Sequence, residues 1–387
     1  MGHTARMRNT VYHRGSYQAT ISGAAVKHIG FLIKPASASC NMRCRYCFYA
    51  DVAEHRSVPS HGVMGEDVMD ALIDRALAVG TDASVTFAFQ GGEPTLAGLE
   101  FFQRFTDLVE SKRNQQQIHY AIQTNGYLVD DAWAEFFHEH RFLVGISLDG
   151  DRELHDWLRP DAQGAGTYQR VMDAIGLLRT HQVEFNVLTV LTGQLARHPQ
   201  RLYRFYRSNH LDYVQLIPCL PGLDDSVDEF SLTPEAFASF YKTFFRMWVE
   251  DFRRGNRFSV TLFDNVIPLF AGIPPQQCGM LGRCAPQFVV ESSGDVYPCD
   301  FYVLDRYRLG NVLSDSLEQM ATSNTLHAFL AEPRRACSAC ADCPFERICH
   351  RNCKRLNIAY YREGYCGYRD FLEYAAPQMA AIARTLR

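Results

Sequence analysis

Three cysteines, Cys40, Cys44 and Cys47, stand in a C-x3-C-x2-C spacing directly after the apolar run 29–33. Thiolates in so short a loop can converge on three corners of one iron–sulfur cube, whereas an ordinary cluster takes four cysteines. One iron is then left open for a ligand that the protein does not supply. A structural zinc site needs four closed ligands, and the only candidate for a fourth near this loop is His55. The spacing therefore points to an open iron–sulfur cluster.

A second cysteine region follows much later. Nine of the thirteen cysteines lie from Cys278 onward: Cys278, Cys284, Cys299, Cys337, Cys340, Cys343, Cys349, Cys353 and Cys366. A C-x2-C-x5-C-x3-C run spans Cys340 to Cys353, and Cys366 lies beyond it. A zinc ribbon uses only four such residues, so eight or nine imply two four-cysteine sites. The segments 288–291 and 296–299 flank Ser292-Ser293-Gly294-Asp295, a hairpin signal that brings Cys299 back beside Cys284. Cys219, at the end of a candidate strand, reads as a small buried residue.

Polar strand ends supply further candidates. Gln90-Gly91-Gly92-Glu93-Pro94 places two glycines where a backbone can approach a ligand, and an acid that can accept from an ammonium group. Gln123-Thr124-Asn125-Gly126 and Ser147-Leu148-Asp149-Gly150 end two later strands, and turn chemistry alone accounts for their Asn-Gly and Asp-Gly pairs.

The elements that must position these residues alternate between β-rich and helical runs, the pattern of repeated β-α units on a parallel sheet. Predicted strands are 29–33, 85–89, 119–123, 143–148, 185–191 and 213–217. Helical periodicity falls at 66–79, 99–112, 131–138, 167–180 and 199–207. Six strands suffice for a partial barrel, where chemistry sits at the C-terminal strand ends. A Pro/Gly/Asp-rich passage, 221–228, leads to a helix at 234–253 whose Phe237, Phe240, Tyr241, Phe244 and Phe245 recur at helical spacing and read as core.

Composition narrows the partners. With 387 residues, 47% of them hydrophobic, the chain can bury one large core and a smaller one. Lys plus Arg number 39 against 43 Asp plus Glu, a net charge of -4, which gives no basic field for nucleic acid or an anionic membrane. No apolar run is long enough to span a bilayer, about 18 residues, and no secretory signal pattern opens the chain. The first 50 residues lack Asp and Glu, and Arg6, Arg8 and Arg14 lend a faint transit-peptide character. A loose N-terminal arm over 1–27 in a cytoplasmic protein is the expectation. So many thiols in a reducing compartment serve metals rather than disulfides.

The cysteine loop, with an aromatic residue before its last cysteine, resembles the radical S-adenosylmethionine (SAM) superfamily, in which the open iron holds the amino and carboxylate groups of SAM. Leu32-Ile33-Lys34-Pro35-Ala36-Ser37, Phe87-Ala88-Phe89-Gln90-Gly91-Gly92-Glu93-Pro94-Thr95, and Phe288-Val289-Val290-Glu291 leading to Tyr297-Pro298-Cys299-Asp300-Phe301-Tyr302 sharpen this. They resemble the anaerobic sulfatase-maturating enzymes, a likeness that covers nearly everything from Leu32 onward.

That resemblance implies an α/β fold: a partial (β/α)6 radical SAM barrel over 28–220, a helical connector over 221–277, and a cysteine-rich SPASM domain over 278–387. It implies three [4Fe-4S] clusters: one on Cys40, Cys44 and Cys47, one on Cys278, Cys284, Cys299 and Cys353, and one on Cys340, Cys343, Cys349 and Cys366. Cys337 has no place in the pattern. SAM would touch Tyr46, Gly92, Glu93, Ser147, Arg159 and Leu220. The implied reaction oxidises a Cys or Ser side chain of an unfolded sulfatase segment to formylglycine (3-oxoalanine). Asp300 would be the proton acceptor, oriented by Tyr49 and Gln90, and the auxiliary clusters would offer the second electron a way out. A flavodoxin or ferredoxin is the implied electron donor. An alternative within the same parts is a SPASM enzyme that forms a thioether or carbon–carbon bond in a ribosomal precursor peptide. A non-catalytic zinc scaffold is the other class.

Overall fold

The structure is a computed structural model that describes residues 28–335 and 337–386, so the expected arm over 1–27 lies outside the described residues. Six parallel strands run in chain order: β1 (His28–Lys34), β2 (Ser84–Phe89), β3 (Gln117–Thr124), β4 (Leu143–Ser147), β5 (Phe185–Leu191) and β6 (Tyr213–Pro218). Each lies within about two residues of its predicted span. Helices α1 (Phe48–Glu54), α2 (Glu66–Leu77), α3 (Leu99–Lys112), α4 (Asp131–Glu139), α5 (Arg152–Leu158), α6 (Tyr168–Thr180) and α7 (Pro199–Ser208) fall between them.

The sheet does not close. β6 is followed at its free edge by β7 (Ser259–Val260), and β1 pairs on its other side with β8 (Val289–Glu291) rather than with β6. β8 is parallel to β1 and antiparallel to β9 (Asp295–Tyr297), which pairs with β10 (Gly310–Asn311). The predicted hairpin therefore extends the same sheet. β1 is flanked on both edges, and its residues after His28 are all buried, which explains its unbroken apolar run.

Between the sheet and its helices lies an aromatic core. Phe87 and Phe89 meet Phe105 edge-on at centroid distances of 5.0 Å, and Phe102 meets Trp133 at 5.2 Å. Phe87 and Phe89 are on the buried face of β2, and Phe102, Phe105 and Trp133 come from buried positions of α3 and α4 at helical spacing. The helix α8 (Pro234–Arg253) begins on Thr233, whose hydroxyl accepts from Ala236 N. Its Phe237, Phe240, Tyr241, Phe244 and Phe245 are buried, as their spacing predicts. Tyr241 packs on Phe371 of the helix Gly367–Ala383, and Phe263 of α9 (Thr261–Leu269) packs on Phe371 and Phe245.

One buried ion pair ties the hairpin to the front of the sheet. The Arg56 guanidinium donates to Glu291 Oε1 at 3.0 Å, with both side chains at most 3% exposed. Ser37 Oγ donates to Glu291 Oε2 at 2.6 Å, so the segment leading into the cysteine loop is pinned to β8. Removing one partner of so buried a pair costs about 3–5 kcal/mol.

Candidate functional site

The cysteine loop leaves the end of β1 and is held by backbone contacts: Arg43 N donates to Pro160 O at 2.8 Å and Arg45 N to Leu158 O at 3.0 Å. Its three thiols are close enough to act on one another. Burial is the largest influence on Cys44 and pushes its thiol up to about 12; Arg159 opposes this, while Cys47, Asp149 and Cys40 add to it. Burial likewise raises Cys40, with Glu93 and Cys47 contributing. Thiols so placed are held against ionisation, and a bound cation is what converts such a set to thiolates. His55 is turned away and sits 3.3 Å from Asp51, so it does not join the loop as a fourth ligand.

Among the described residues no three His, Cys, Asp or Glu side chains converge closely enough to share a single metal ion. The thiols nevertheless act on one another in groups. Cys299 feels Cys353 and Cys278, and Cys284 feels Cys353. Cys349 feels Cys366, Cys340 and Cys343. Cys337 acts in the same way on Cys340 and Cys366, so this second group holds five thiols. Cys219 is 3% exposed and stands apart from them as a buried thiol at the end of β6.

Beside the first loop lies the β2 end. A Cβ on Gly92 would stand 2.1 Å from Ser39 O, so only glycine lets this turn lie against the cysteine loop. Glu93 is 1% exposed. Its Oε1 accepts from Thr95 N at 3.0 Å, Thr95 Oγ1 at 2.6 Å and Thr124 Oγ1 at 2.7 Å, while Oε2 accepts only from Asn125 N at 2.7 Å. Oε2 keeps capacity for one more donor. Asn125 Nδ2 donates to Asn41 Oδ1 at 2.8 Å and lies 3.8 Å from Cys40 Sγ, so the β3 end also reaches the loop.

Tyr46 and Arg159 come together: Arg159 Nη1 donates to Tyr46 Oη at 2.6 Å, and Tyr46 Oη donates to Asp149. Turn chemistry alone does not account for Asp149. Gly150 does take the left-handed φ of +83° that the turn requires, but the Asp149 side chain is fully buried and 3.6 Å from Arg159, and its Oδ1 accepts from Val190 N at 3.0 Å. Burial raises the carboxyl and Arg159 pulls it back. Ser147 is half-buried at the end of β4, and Leu220 is partly buried just past β6; neither is drawn into this network. Arg159 Nε and Asn41 Nδ2 are buried donors without a hydrogen-bond partner. Orphaned donors beside the open cysteine loop fit a bound polar cofactor.

Asp300 follows Cys299 and is 5% exposed. Its Oδ2 accepts from Tyr49 Oη at 2.9 Å and from Gln90 Nε2 at 2.5 Å, joining α1, β2 and the hairpin exit. Lys34, the last residue of β1, places Nζ 3.1 Å from Asp300 Oδ1 and 4.2 Å from the Tyr49 ring centroid. Oδ1 has no hydrogen-bond partner, only this ion pair. Lys34 is the functional side chain that motif reading passes over. Its signal is a lone lysine closing an apolar strand, since a lysine 3% exposed is rare unless paired.

A sequence profile of the radical SAM superfamily matches residues 35–206, and one of the SPASM iron–sulfur cluster-binding domain matches residues 282–344. The chain is 39% identical over 372 residues to the cysteine-type anaerobic sulfatase-maturating enzyme of Clostridium perfringens (strain 13 / Type A), covering 93% of this chain and 99% of the relative. It is 30% identical over 394 residues to the serine-type anaerobic sulfatase-maturating enzyme of Bacteroides thetaiotaomicron, covering 95% and 94%. Among solved structures, native anSMEcpe with bound AdoMet superposes with a TM-score of 0.86 at 38% identity over 92% of this chain and 99% of that one. SuiB of Streptococcus suis bound to S-adenosylmethionine, at 18% identity and a TM-score of 0.60 over 88% and 77%, shares the fold.

Proposed function

The chain belongs to the anaerobic sulfatase-maturating enzymes, and we propose that within this family it acts on a cysteine rather than a serine. It is a radical SAM oxidoreductase that converts a side chain of a sulfatase to formylglycine, with three [4Fe-4S] clusters and SAM as cofactors. Identity of 39% to a cysteine-type relative against 30% to a serine-type one supports the cysteine target. The test is anaerobic incubation with SAM, a reductant and matched Cys and Ser peptides, read by mass spectrometry. Formylglycine from the Cys peptide at several times the Ser rate is expected; equal rates would overturn the preference.

The observation that carries the assignment of roles is the buried carboxylate of Asp300, whose Oδ2 accepts from Tyr49 and Gln90 and whose Oδ1 faces Lys34 alone. Cys40, Cys44 and Cys47 would hold the cluster that binds SAM, and the two together would supply the radical chemistry that takes a hydrogen atom from the target Cβ. As the carbon–sulfur double bond forms, Asp300 Oδ1 takes the thiol proton and one electron leaves by way of the auxiliary clusters that the later cysteines would hold; water then replaces the sulfur, which departs as hydrogen sulfide, to give the aldehyde. Tyr49 and Gln90 hold Oδ2, so Oδ1, which has no hydrogen-bond partner and lies 3.1 Å from Lys34 Nζ, is the oxygen that takes the proton. Tyr46 and Arg159, braced by Asp149, would line the SAM site with Gly92, Ser147 and Leu220, and Glu93 Oε2 would be the acceptor for the SAM ammonium group.

Lys34→Met should therefore lower formylglycine formation on the order of tenfold to a hundredfold, because the carboxylate loses its buried cation and its fixed pose. Deoxyadenosine should still form, and Lys34→Arg should recover part of the product. Unchanged formylglycine in the Met variant would remove Lys34 from the mechanism.

An unfolded sulfatase segment is the partner, and a low-potential flavodoxin or ferredoxin is the electron donor that the chemistry needs. We assign the enzyme to the cytoplasm, a reducing compartment in which eleven of its thirteen cysteines can serve clusters; no described helix is long and apolar enough to cross a membrane. We take 28–220 as the radical SAM domain, 221–277 as the connector and 278–387 as the SPASM domain. Reconstituted protein should hold about twelve irons per chain, four in each of three clusters. Saturation near four would show that the later cysteines bind something else.

A further inference from the structure

Five thiols, not four, surround the second auxiliary site. Cys337 is 6% exposed. It belongs to a repeated turn: Cys340 N donates to Cys337 O at 2.9 Å, and Cys343 N donates to Cys340 O at 3.3 Å. The pair Cys337/Cys340 thus offers the same C-x2-C chelating turn as Cys340/Cys343, a spacing that brings successive thiols to one metal centre. The thiol is also directed at the hairpin that carries Cys366. Cys337 Sγ donates to Arg362 O at 3.8 Å, and Arg362 pairs with Tyr365, the residue before Cys366. Cys337 also acts electrostatically on both Cys340 and Cys366, so it lies near both. A spare buried thiol packed elsewhere would touch one such group by chance. This one touches the turn and the hairpin together.

We propose that Cys337 is a reserve ligand of this auxiliary cluster, positioned to take the iron corner held by Cys340. The exchange replaces one iron–sulfur bond by another: the Cys337 S–H proton passes to the departing Cys340 sulfur, and no electron moves. When residue 340 lacks sulfur, the proton of Cys337 goes to water and its thiolate completes the set with Cys343, Cys349 and Cys366. The inference rests on the reading of those four cysteines as one cluster's ligands.

The experiment measures iron per chain and the cluster signals by electron paramagnetic resonance in anaerobically reconstituted full-length variants. Cys340→Ala should keep about twelve irons, with the auxiliary signal altered, while Cys337→Ala/Cys340→Ala should fall to about eight. Cys337→Ala alone should keep about twelve. Cys349→Ala, which disturbs the same loop but has no spare thiol in a repeated turn, should fall to about eight. Deoxyadenosine formation, which depends on the first cluster, checks that each variant is folded, and a variant that fails it is replaced by the Ser counterpart. If Cys340→Ala loses four irons as the double variant does, Cys337 is not a reserve ligand. If Cys337→Ala alone loses them, Cys337 is a primary ligand and the proposal falls. If Cys349→Ala keeps its iron, the underlying ligand set is wrong and the proposal falls with it.

Discussion

An enzyme in which Cys40, Cys44 and Cys47 are all Ala should make no deoxyadenosine and no formylglycine above background. On the proposed assignment the three thiols are the protein's whole hold on the iron that SAM must reach, and with them gone no open iron remains. Changing all three matters, because a single vacancy can be filled by water or an added thiol. Folding should survive. The loop's anchors are backbone contacts to Leu158 and Pro160, the Met42–Asp161 bridge, and Arg43 Nη1 donating to Cys40 O at 2.9 Å, none of which uses a sulfur atom. Iron should drop by about four of twelve per chain, leaving the auxiliary clusters in place. Deoxyadenosine at the wild-type rate in this variant would remove the loop from the mechanism.

What can be read from the sequence here follows the range of the interactions involved. The strands β1 to β6 are legible because each is a short apolar run closed by turn residues, and α8 is legible because its aromatics recur at 3.6-residue spacing. The helix α1 escapes such reading: only Val52 and Ala53 among its seven residues are buried, so it carries almost no periodic signal. α9 carries Pro268 within its span, which reads as a helix end. The open edge of the sheet is likewise not local, since β8 reaches β1 across most of the chain.

The site divides the same way. The cysteine spacing and Gly91-Gly92 announce themselves within a few residues, because a cluster loop and a close backbone approach are local demands. Lys34 and Asp149 do not. Lys34 looks like the polar end of a strand until Asp300 arrives from a hairpin far along the chain, and Tyr49 and Asp300 are 251 residues apart. Asp149 sits in an Asp-Gly turn that needs no further reason, yet its carboxyl is committed to Tyr46 and Arg159. A residue that satisfies a local rule conceals any second role that only tertiary contact reveals.

Asp300→Asn should separate SAM cleavage from product formation. Asn keeps the shape of the side chain but removes its charge and nearly all its basicity. Tyr49 and Gln90 require an acceptor, so the Asn carbonyl should turn to them and its amide should face Lys34, donor against cation, at the position where Oδ1 now stands 3.1 Å from Nζ. The acceptor proposed for the substrate proton is then gone. Deoxyadenosine should still form, because it depends on the loop of Cys40, Cys44 and Cys47, which Asp300 does not touch. Formylglycine should fall by about 10²- to 10⁴-fold, the usual worth of a positioned general base. Iron must be measured on the same sample, because Asp300 adjoins Cys299, and aldehyde lost together with about four irons would mean a structural role instead. With iron intact and a Cys peptide as substrate, formylglycine within a fewfold of wild type would show that Asp300 is not the base, and Tyr49 or a water would take its place as the candidate.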